Sequence, residues 1–280
     1  MGEQRFISRR SMLRGAGAAA VAVGAAVAVP GVAGATFGRR IPVQKISVQL
    51  YTLRSLLEKD APGTLEALAD IGYRSVEMAG TYGYSAAEFR KLLDRNHLRA
   101  TSTHVGIDGD VDKLIADAKT LGHTYAAVPY AKYPTVAEWK ALAARLDKAA
   151  RAFHRAGIKL GYHNHDHEFV PVEGVRPYDI LTRETDRRFV HLELDLFWAV
   201  HAGVDPVRLY WENFPRVLQY HVKDRTPDGQ MTNPGTGAID FRKIFRATPT
   251  IREYIVEHDN PTDPLETARV GFTYLRNLRF

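Results

Sequence analysis

The segment Arg155-Ala156-Gly157-Ile158-Lys159-Leu160-Gly161-Tyr162-His163 passes from a helical pattern through a glycine into a short apolar strand. Gly157 is a stop signal for the helix, because glycine readily adopts the left-handed conformation that ends one. The same order of helix, glycine and strand occurs at Ala69-Asp70-Ile71-Gly72-Tyr73. Each repeat predicts that the chain returns to a parallel sheet after a helix.

Short apolar runs alternate with amphipathic segments along most of the chain. The runs predicted to be strands are Ile46–Tyr51, Ser75–Met78, Arg99–His104, Tyr125–Val128, Lys159–His163, Val190–Asp195, Leu218–Val222 and Tyr254–Glu257. The helical patterns between them include Thr64–Ile71, Ala86–Asn96, Val111–Leu121, Val136–Ala156, Pro206–Asn213 and Phe241–Arg246. Eight such units predict an α/β fold, a single-domain (β/α)8 TIM barrel, whose usual length is about 250 residues.

An open, doubly wound sheet is the competing architecture. It favours a glycine-rich phosphate loop after the first strand. The corresponding segment, Gln49-Leu50-Tyr51-Thr52-Leu53-Arg54, contains no glycine, so the barrel is preferred. In a barrel the carboxyl ends of all the strands open on one face, where active sites lie.

The N-terminal segment predicts export. Ser8-Arg9-Arg10-Ser11-Met12-Leu13-Arg14 precedes an Ala/Gly/Val run over 15–29 and the small-residue pattern Ala33-Gly34-Ala35. This order is typical of a twin-arginine signal peptide, and the run is too short and too weakly apolar for a stable membrane anchor. We expect residues 1–35 to be the signal, residues 36–280 to be the barrel, and the export machinery to be a partner. The expected location is periplasmic or secreted.

The net charge and the cysteine count limit the binding partners that the chain can have. The 280 residues carry a formal net charge of +6, and the first 35 hold four arginines against Glu3, which accounts for half of that excess. The remaining chain is nearly neutral, which argues against a nucleic-acid partner. The chain has no cysteine, so histidines and carboxylates must supply any metal ligands.

Metal-ligating residue types concentrate at the predicted carboxyl ends of the strands. Side-chain alternation along the strands points Asp195, His221 and Glu257 into the mouth of the barrel. A single Asp there is usually a helix cap, and a single His is usually a packing residue. Their convergence on neighbouring strand ends instead favours a site for a divalent ion such as Mn²⁺, Co²⁺, Fe²⁺ or Zn²⁺.

Five motifs carry a family resemblance: Gly161-Tyr162-His163-Asn164-His165, Glu193-Leu194-Asp195-Leu196-Phe197-Trp198, His221-Val222-Lys223-Asp224, Gly235-Thr236-Gly237-Ala238-Ile239-Asp240 and Val256-Glu257-His258-Asp259. In order and spacing they resemble the xylose isomerase-like TIM barrel superfamily of sugar phosphate isomerases and epimerases. The resemblance covers essentially all of residues 36–280. It is specific for the superfamily and not for one activity within it.

The resemblance implies a divalent metal held by Glu, Asp, His and Glu at the ends of strands five to eight. Asp195, His221 and Glu257 match the last three positions, and His163 falls where the family has the first Glu. Glu168 is the alternative ligand from that strand. Manganese is the expected ion, with cobalt, iron, zinc or magnesium as alternatives. An imidazole in this position leaves the metal a stronger Lewis acid and removes one of the two carboxylates that flank the substrate in typical epimerases.

The implied activity is isomerisation or epimerisation of a keto-sugar or polyol through an enediolate. A non-phosphorylated substrate is expected, because phosphorylated sugars stay in the cytoplasm. Alternatives are a lyase or dehydratase acting on a 3-keto-glycoside or inosose at the same site, a non-catalytic sugar-binding barrel, and hydrolysis of abasic DNA in the manner of endonuclease IV. Self-association stays open.

Roles can be assigned to individual side chains in such a site. The candidates for acid–base catalysis are Glu257, His165, Glu168 and Lys223. Lys223 can alternatively form a structural ion pair with Asp224 or Glu257. The candidates for substrate binding are His104, Asn164 and Trp198, and Trp198 is equally compatible with a place in the core.

Overall fold

The structure is a computed structural model that describes residues 38–280, so the predicted signal peptide at 1–35 lies outside the described residues. Its main sheet has eight parallel strands. They are β1 (Ile46–Gln49), β2 (Ser75–Met78), β3 (Arg99–Thr103), β4 (Tyr125–Val128), β5 (Lys159–His163), β6 (Val190–Asp195), β7 (Val217–Val222) and β10 (Glu253–Val256). A short hairpin, β8 (Asp224–Arg225) and β9 (Met231–Thr232), lies between β7 and β10 in the chain.

Contacts between the two edge strands close the sheet into a barrel. The strand order is β3-β2-β1-β10-β7-β6-β5-β4, which leaves β3 and β4 to meet. The N–H of Thr124 donates to the carbonyl of Thr101 at 2.9 Å, and the N–H of Val105 donates to the carbonyl of Ala127 at 2.9 Å. The predicted (β/α)8 barrel is therefore confirmed.

Helices connect the strands on the outside of the barrel. They are α1 (Arg54–Ile71), α2 (Ala86–Arg95), α3 (Val111–Leu121), α4 (Val136–Arg155), α5 (Pro177–Glu184), α6 (Leu196–His201), α7 (Pro206–Glu212), α8 (Phe241–Ala247) and α9 (Pro264–Asn277). Among residues 38–280, no helix is both long and apolar enough to cross a membrane.

The start of the barrel differs from the sequence prediction. β1 ends at Gln49, before the predicted Tyr51, because a 3₁₀ turn over Leu50–Leu53 follows it. The Gln49 side chain stabilises this turn by accepting a hydrogen bond from the N–H of Tyr51 at 3.0 Å. Helix α1 then begins at Arg54, well before the predicted Thr64, and has a kink at Asp60.

Glycine ends the helices where the sequence predicted. Gly72 follows α1 with a φ of 119°, and Gly157 follows α4 with a φ of 81°. At Gly72 the ring of Phe272 lies 2.7 Å from the position that a Cβ would take, so a larger residue would also disturb the contact between α1 and α9. These turns set the points at which each new strand enters the barrel.

The two faces of each strand have different partners. In β6, Leu192 and Leu194 are fully buried in the apolar core between sheet and helices. His191, Glu193 and Asp195 alternate with them and face the barrel interior, where they are also buried. The barrel interior is therefore rich in polar groups, and those at the carboxyl end of the strands form a candidate site.

Candidate active site

Four adjacent strands bring His163, Asp195, His221 and Glu257 to one point, and we call these residues the quartet. Each residue offers one ligand atom, and the four atoms lie within 4.8 Å of one another. The strands concerned, β5, β6, β7 and β10, are neighbours in the sheet, and Asp195 lies opposite His221 in the register. The quartet is fully buried apart from slight exposure of Glu257 and His163.

The chemistry of the quartet fits a divalent cation. Two imidazoles and two carboxylates form a mixed nitrogen and oxygen donor set of the kind that first-row divalent metals accept. Oδ2 of Asp195 is buried and accepts no well-aligned hydrogen bond, although Nζ of Lys223 lies 3.0 Å away. A buried carboxylate oxygen without a hydrogen bond is costly unless a cation completes its environment.

A carboxylate outside the quartet, that of Glu193, touches three imidazoles. Oε1 of Glu193 is 2.8 Å from Nε2 of His104, 3.1 Å from Nδ1 of His163 and 3.0 Å from Nε2 of His221. Oε2 of Glu77 adds a contact of 2.9 Å to Nε2 of His221. Glu193 also forms a second group of possible ligands with His104, His163 and His221, whose ligand atoms likewise lie within 4.8 Å of one another. With a cation held by the quartet, Glu193 and Glu77 would orient the imidazoles from outside, as outer-shell carboxylates do at metal sites.

Glu193 and Glu77 are not among the site residues proposed from the sequence. Glu193 precedes Asp195 by two residues and therefore shares its face of the strand, and Glu77 lies in the last pair of residues of β2. Strand parity could have found both. The sequence prediction takes only the final residue of each strand as a ligand, and Glu193 is not the final residue of its strand.

The carboxylates keep the imidazoles of His104 and His221 protonated. Burial lowers the pKa of His104, but the carboxylates of Glu77 and Glu193 outweigh it and raise that pKa to about 10. The same balance raises the pKa of His221 well above its ordinary value. A cation can bind His221 only after the imidazole loses its proton, so cation binding should weaken as the pH falls.

Lys223 lies directly above the carboxylates of the quartet. Its Nζ is 3.0 Å from Oδ2 of Asp195, 2.8 Å from Oε2 of Glu257 and 2.6 Å from Oδ1 of Asp259. Burial lowers its pKa, but the three carboxylates outweigh burial and raise the pKa well above the ordinary value. Lys223 is therefore an ammonium group in the wall of the site, and its partners include Glu257 and not Asp224.

Asp224 binds the loop that contains the glycine motif at 235–237, and this contact explains the motif. Its Oδ2 accepts hydrogen bonds from the N–H groups of Gly235 and Gly237, both at 2.9 Å. A Cβ at Gly237 would collide with Oδ1 of Asp224, so only glycine allows this approach. The motif fixes the loop that follows Lys223.

A cavity of about 540 Å³ opens above the quartet. Its lining comprises Tyr51, Ala79, His104, Pro129, Tyr130, His163, His165, Lys223, Glu257, Asp259 and Asn260. Among the catalytic and substrate-binding candidates, His104, His165, Lys223 and Glu257 are part of this lining. Asn164, Glu168 and Trp198 are not.

Asn164, Glu168 and Trp198 lie outside the cavity lining and make hydrogen bonds with residues that form the site. Oδ1 of Asn164 accepts the backbone N–H of Asp195 at 3.0 Å, and Oδ1 of Asp195 accepts the N–H of Trp198 at 2.8 Å. The carboxylate of Glu168 accepts hydrogen bonds from the Tyr162 hydroxyl and the backbone N–H of His165, both at 2.7 Å. The structure thus places Glu168 away from the quartet, and His163 is the residue that β5 brings there.

His165 differs from the protonated histidines below it. Burial, together with the nearby Lys223 ammonium, lowers its pKa to about 3. Its Nδ1 is buried without a hydrogen-bond partner, and its ring packs 5.4 Å from the ring of Trp198. His165 is therefore a neutral imidazole in the cavity wall.

The fold and the site define a family of barrel enzymes. A family model described as "Xylose isomerase-like TIM barrel" matches residues 65–278. The chain belongs to this family, which confirms the resemblance found in the sequence.

Two curated relatives and one solved structure are similar to this chain. An inosose dehydratase from Geobacillus kaustophilus (strain HTA426) is 28% identical over 227 residues, which cover 65% of this chain and 73% of that protein. An inosose dehydratase from Clostridium botulinum (strain Alaska E43 / Type E3) is 30% identical over 163 residues, 50% of this chain and 54% of that protein. A sugar phosphate isomerase/epimerase from Parabacteroides distasonis ATCC 8503 superimposes with a TM-score of 0.72 at 25% identity, and the match covers 84% of this chain and 94% of that structure.

Proposed function

We propose that the protein is a metal-dependent lyase that removes a β-oxygen substituent, as water or an alcohol, from a non-phosphorylated keto-sugar or keto-cyclitol. One observation carries the proposal. Strand β5 contributes an imidazole, that of His163, to the quartet, and the buried ammonium of Lys223 contacts the carboxylates of Asp195 and Glu257. The names of the curated relatives, inosose dehydratases, support the same class of reaction.

The site favours elimination over the isomerisation or epimerisation expected from the sequence. Epimerisation by two bases needs a proton acceptor on each face of the substrate carbon. Here the position that would hold the second carboxylate is His163, which lies 3.1 Å from Glu193 and faces the cation position. Elimination instead needs one base and one acid, and the cavity wall provides both.

The residues divide the proton transfers between them. The proposed base is Glu257, a carboxylate because Lys223 and His221 hold its pKa well below the ordinary value in spite of burial, and the neutral His165 is the alternative base. Lys223 is the group able to donate one. Asp259, at 2.6 Å, fixes the Lys223 ammonium at the cavity wall.

The reaction balances without a further reagent. The base takes the proton from the carbon next to the carbonyl, and the electron pair of that C–H bond forms a carbon–carbon double bond. The C–O bond at the next carbon breaks, and its oxygen leaves with a proton from Lys223. His163, Asp195, His221 and Glu257 would hold a divalent cation, which when bound supplies Lewis-acid stabilisation of the charge on the carbonyl oxygen.

Export remains part of this proposal. The paired arginines and the small-residue pattern within residues 1–35 support the twin-arginine route. A location outside the cytoplasm agrees with a substrate that carries no phosphate.

Product analysis in D₂O tests the proposed reaction. Metal-loaded protein is incubated with an inosose and with a 3-keto-glucoside, and the products are followed by NMR and by the near-ultraviolet absorbance of a conjugated ketone. We expect the conjugated ketone to form together with released water or alcohol. A deuterated epimer without elimination would contradict the proposal and favour epimerisation, and an unchanged, undeuterated substrate would favour a binding protein.

The Lys223→Met variant tests the acid. We expect elimination to slow about 10²–10⁴-fold, the usual contribution of one acid–base group, with metal content retained. Deuterium exchange next to the carbonyl should fall much less, because the base is still present. Lys159→Met, at an exposed position at the start of β5, is the matched control. Equal loss of exchange and elimination would contradict the assignment of Lys223 as the acid.

A further inference from the structure

Two exposed aromatic rings stand at the entrance of the cavity. Tyr51 is 43% exposed and Tyr130 is 53% exposed, and both line the cavity above the quartet. The described part of the chain has six exposed large hydrophobic residues, and these two are the ones that line this cavity. Ligand-binding cavities are lined largely by apolar and aromatic side chains, so exposed rings that line a cavity are candidates for contact with a ligand.

Tyr51 is held rigidly by an arginine. The Arg54 guanidinium lies 3.9 Å from the centre of the Tyr51 ring and covers one of its faces. Arg54 in turn donates to the carbonyls of Tyr51 and Asp259, both at 2.8 Å, and to Oδ1 of Asn260 at 2.9 Å. The ring is therefore fixed before a ligand arrives, which reduces the entropy that binding would cost.

Tyr130 is supported by two histidine rings. Its ring meets that of His165 edge to face at 5.2 Å and that of His167 at 5.0 Å. His167 is itself anchored, because its Nε2 lies 2.7 Å from the carbonyl of Ala131. Both rings at the entrance thus present fixed surfaces.

The two rings lie on different sides of the entrance. Tyr51 follows β1 and Tyr130 follows β4, and β2 and β3 separate these strands around the barrel. Among the lining residues Lys223 and Glu257 are buried, whereas Tyr51, Tyr130 and Asn260 are exposed. The cavity therefore has a buried lower part that contains charged groups and an exposed upper part that contains the two aromatic rings.

We propose that the upper part is a second sugar subsite, formed by Tyr51 and Tyr130, and that the substrate is a glycoside. This inference rests on the proposed elimination, with the second ring leaving as the alcohol. A pyranose ring has a face of C–H groups that packs on an aromatic ring, whose face is electron-rich. Its hydroxyl groups point sideways, towards donors such as the Asn260 amide.

The division of the cavity supports two rings over one. The reacting keto-sugar needs the cation ligands and Lys223, so it occupies the lower part. A substrate of one ring would leave Tyr51 and Tyr130 in water, and nothing in the reaction would use their fixed positions. A glycoside extends from the lower part to the entrance and covers both.

Binding of unoxidised sugars tests the subsite without relying on catalysis. Calorimetry on the metal-loaded protein compares a β-linked glucose disaccharide with methyl β-glucoside. We expect the disaccharide to bind about tenfold more tightly, and Tyr51→Ala and Tyr130→Ala each to weaken the disaccharide about tenfold while leaving the methyl glucoside unchanged. Tyr51→Phe and Tyr130→Phe keep the rings and should retain most of the affinity.

Trp211→Ala removes an equally exposed aromatic ring away from the cavity and should change neither affinity. Equal affinity for the two sugars in the wild type, or equal weakening of both by the alanine variants, would overturn the subsite.

Turnover measurements distinguish failure of the subsite from failure of the proposed elimination. If no keto-substrate undergoes elimination but disaccharide binding still depends on the rings, the elimination fails and the subsite stands. If keto-disaccharide and keto-methyl-glucoside are eliminated with the same kcat/KM, the subsite fails and the elimination stands.

Discussion

Two layers of buried polar side chains cross the barrel, and they differ in charge: the lower layer is nearly neutral, and the upper layer contains charged groups. In the lower layer, Nε2 of Gln219 donates to Oε2 of Glu253 at 2.9 Å, and Oε1 of Gln219 lies 3.1 Å from Nε2 of His191. Burial raises the pKa of Glu253 to about 7, and burial lowers the pKa of His191. This layer is therefore neutral or nearly so, as expected of a network that only fills the barrel.

The upper layer, which comprises the quartet and Lys223, keeps several full charges under the same burial, although burial raises the pKa of Asp195 to about 6 and lowers that of His163 well below its ordinary value. Lys223 stays an ammonium, and Glu257 stays a carboxylate because Lys223 and His221 hold its pKa well below the ordinary value. Strand β6 contributes His191 to the lower layer and Asp195 to the upper one, only four residues apart. Buried polarity alone therefore does not mark a functional site, whereas concentrated and incompletely paired charge does.

The largest effect is expected from Asp195→Asn in the upper layer. Loss of an outer-shell partner of a metal ligand typically costs about 10–100-fold, so loss of this ligand should lower metal affinity and activity more than about 100-fold. Asn is also a good helix cap, so the cap on Trp198 should survive. Metal analysis and turnover measure the effect, with Asp205→Asn, the exposed cap of α7, as control. Full metal occupancy in the Asp195→Asn variant would show that Asp195 is not a metal ligand.

Glu193→Gln tests the carboxylate that contacts the histidines of the quartet. Because Glu193 touches the imidazoles of His104, His163 and His221, we expect metal affinity to fall about 10–100-fold. The pKa of His104 should also fall, since one of the two carboxylates that raise it has gone. NMR titration of the metal-free histidines and metal competition report the two effects. Glu212→Gln, in a surface ion pair with Arg208, should leave both unchanged.

Gly161→Ala tests the packing of the lower layer. The new Cβ would lie 2.6 Å from the carbonyl oxygen and 2.7 Å from the ring of His191. Such overpacking should destabilise the fold by about 1–3 kcal/mol. Denaturant unfolding measures it, and Gly109→Ala, which meets no atom within 4 Å, is the control. An unfolding free energy equal to that of the control would show that the lower layer repacks freely.

The effect of Glu253→Gln depends on pH and disappears in acid. The pKa of Glu253 is raised from 4.5 to about 7, so the native state binds this proton more tightly than the unfolded chain does. Its stabilising effect is complete below about pH 4.5 and is lost as the pH rises through about 7. The stability of the variant should thus exceed that of the wild type by about 3 kcal/mol at pH 8 and match it near pH 4. A pH-independent difference between the two proteins would contradict a neutral lower layer.

The sequence predicted the barrel well because its signals are local and repeated. Glycine stops such as Gly72 and Gly157 depend on backbone conformation alone, and strand alternation places Asp195, His221 and Glu257 without knowledge of distant contacts. The end of β1 was predicted too late, because the Gln49 side chain turns the chain at Tyr51, and apolar patterns do not report a side-chain hydrogen bond.

The supporting residues of the site were harder to predict. Glu168 and Trp198 look like site residues in the sequence, yet hydrogen bonds and packing turn them away from the cavity. Glu193 and Glu77 reach the imidazoles from strands that are distant in the chain. Which carboxylate meets which histidine depends on how the strands are staggered around the barrel, and a single sequence does not contain that information.

Anomalous diffraction from crystals soaked in a divalent metal shows whether the quartet is the metal site. We predict one strong peak bonded to His163, Asp195, His221 and Glu257, with Glu193 and Glu77 holding the imidazoles from outside. The same data from Asp195→Asn crystals should lose that peak. A peak centred on Glu193 with no bond to Asp195 or Glu257, or no peak at the barrel mouth, would contradict the assignment of the quartet.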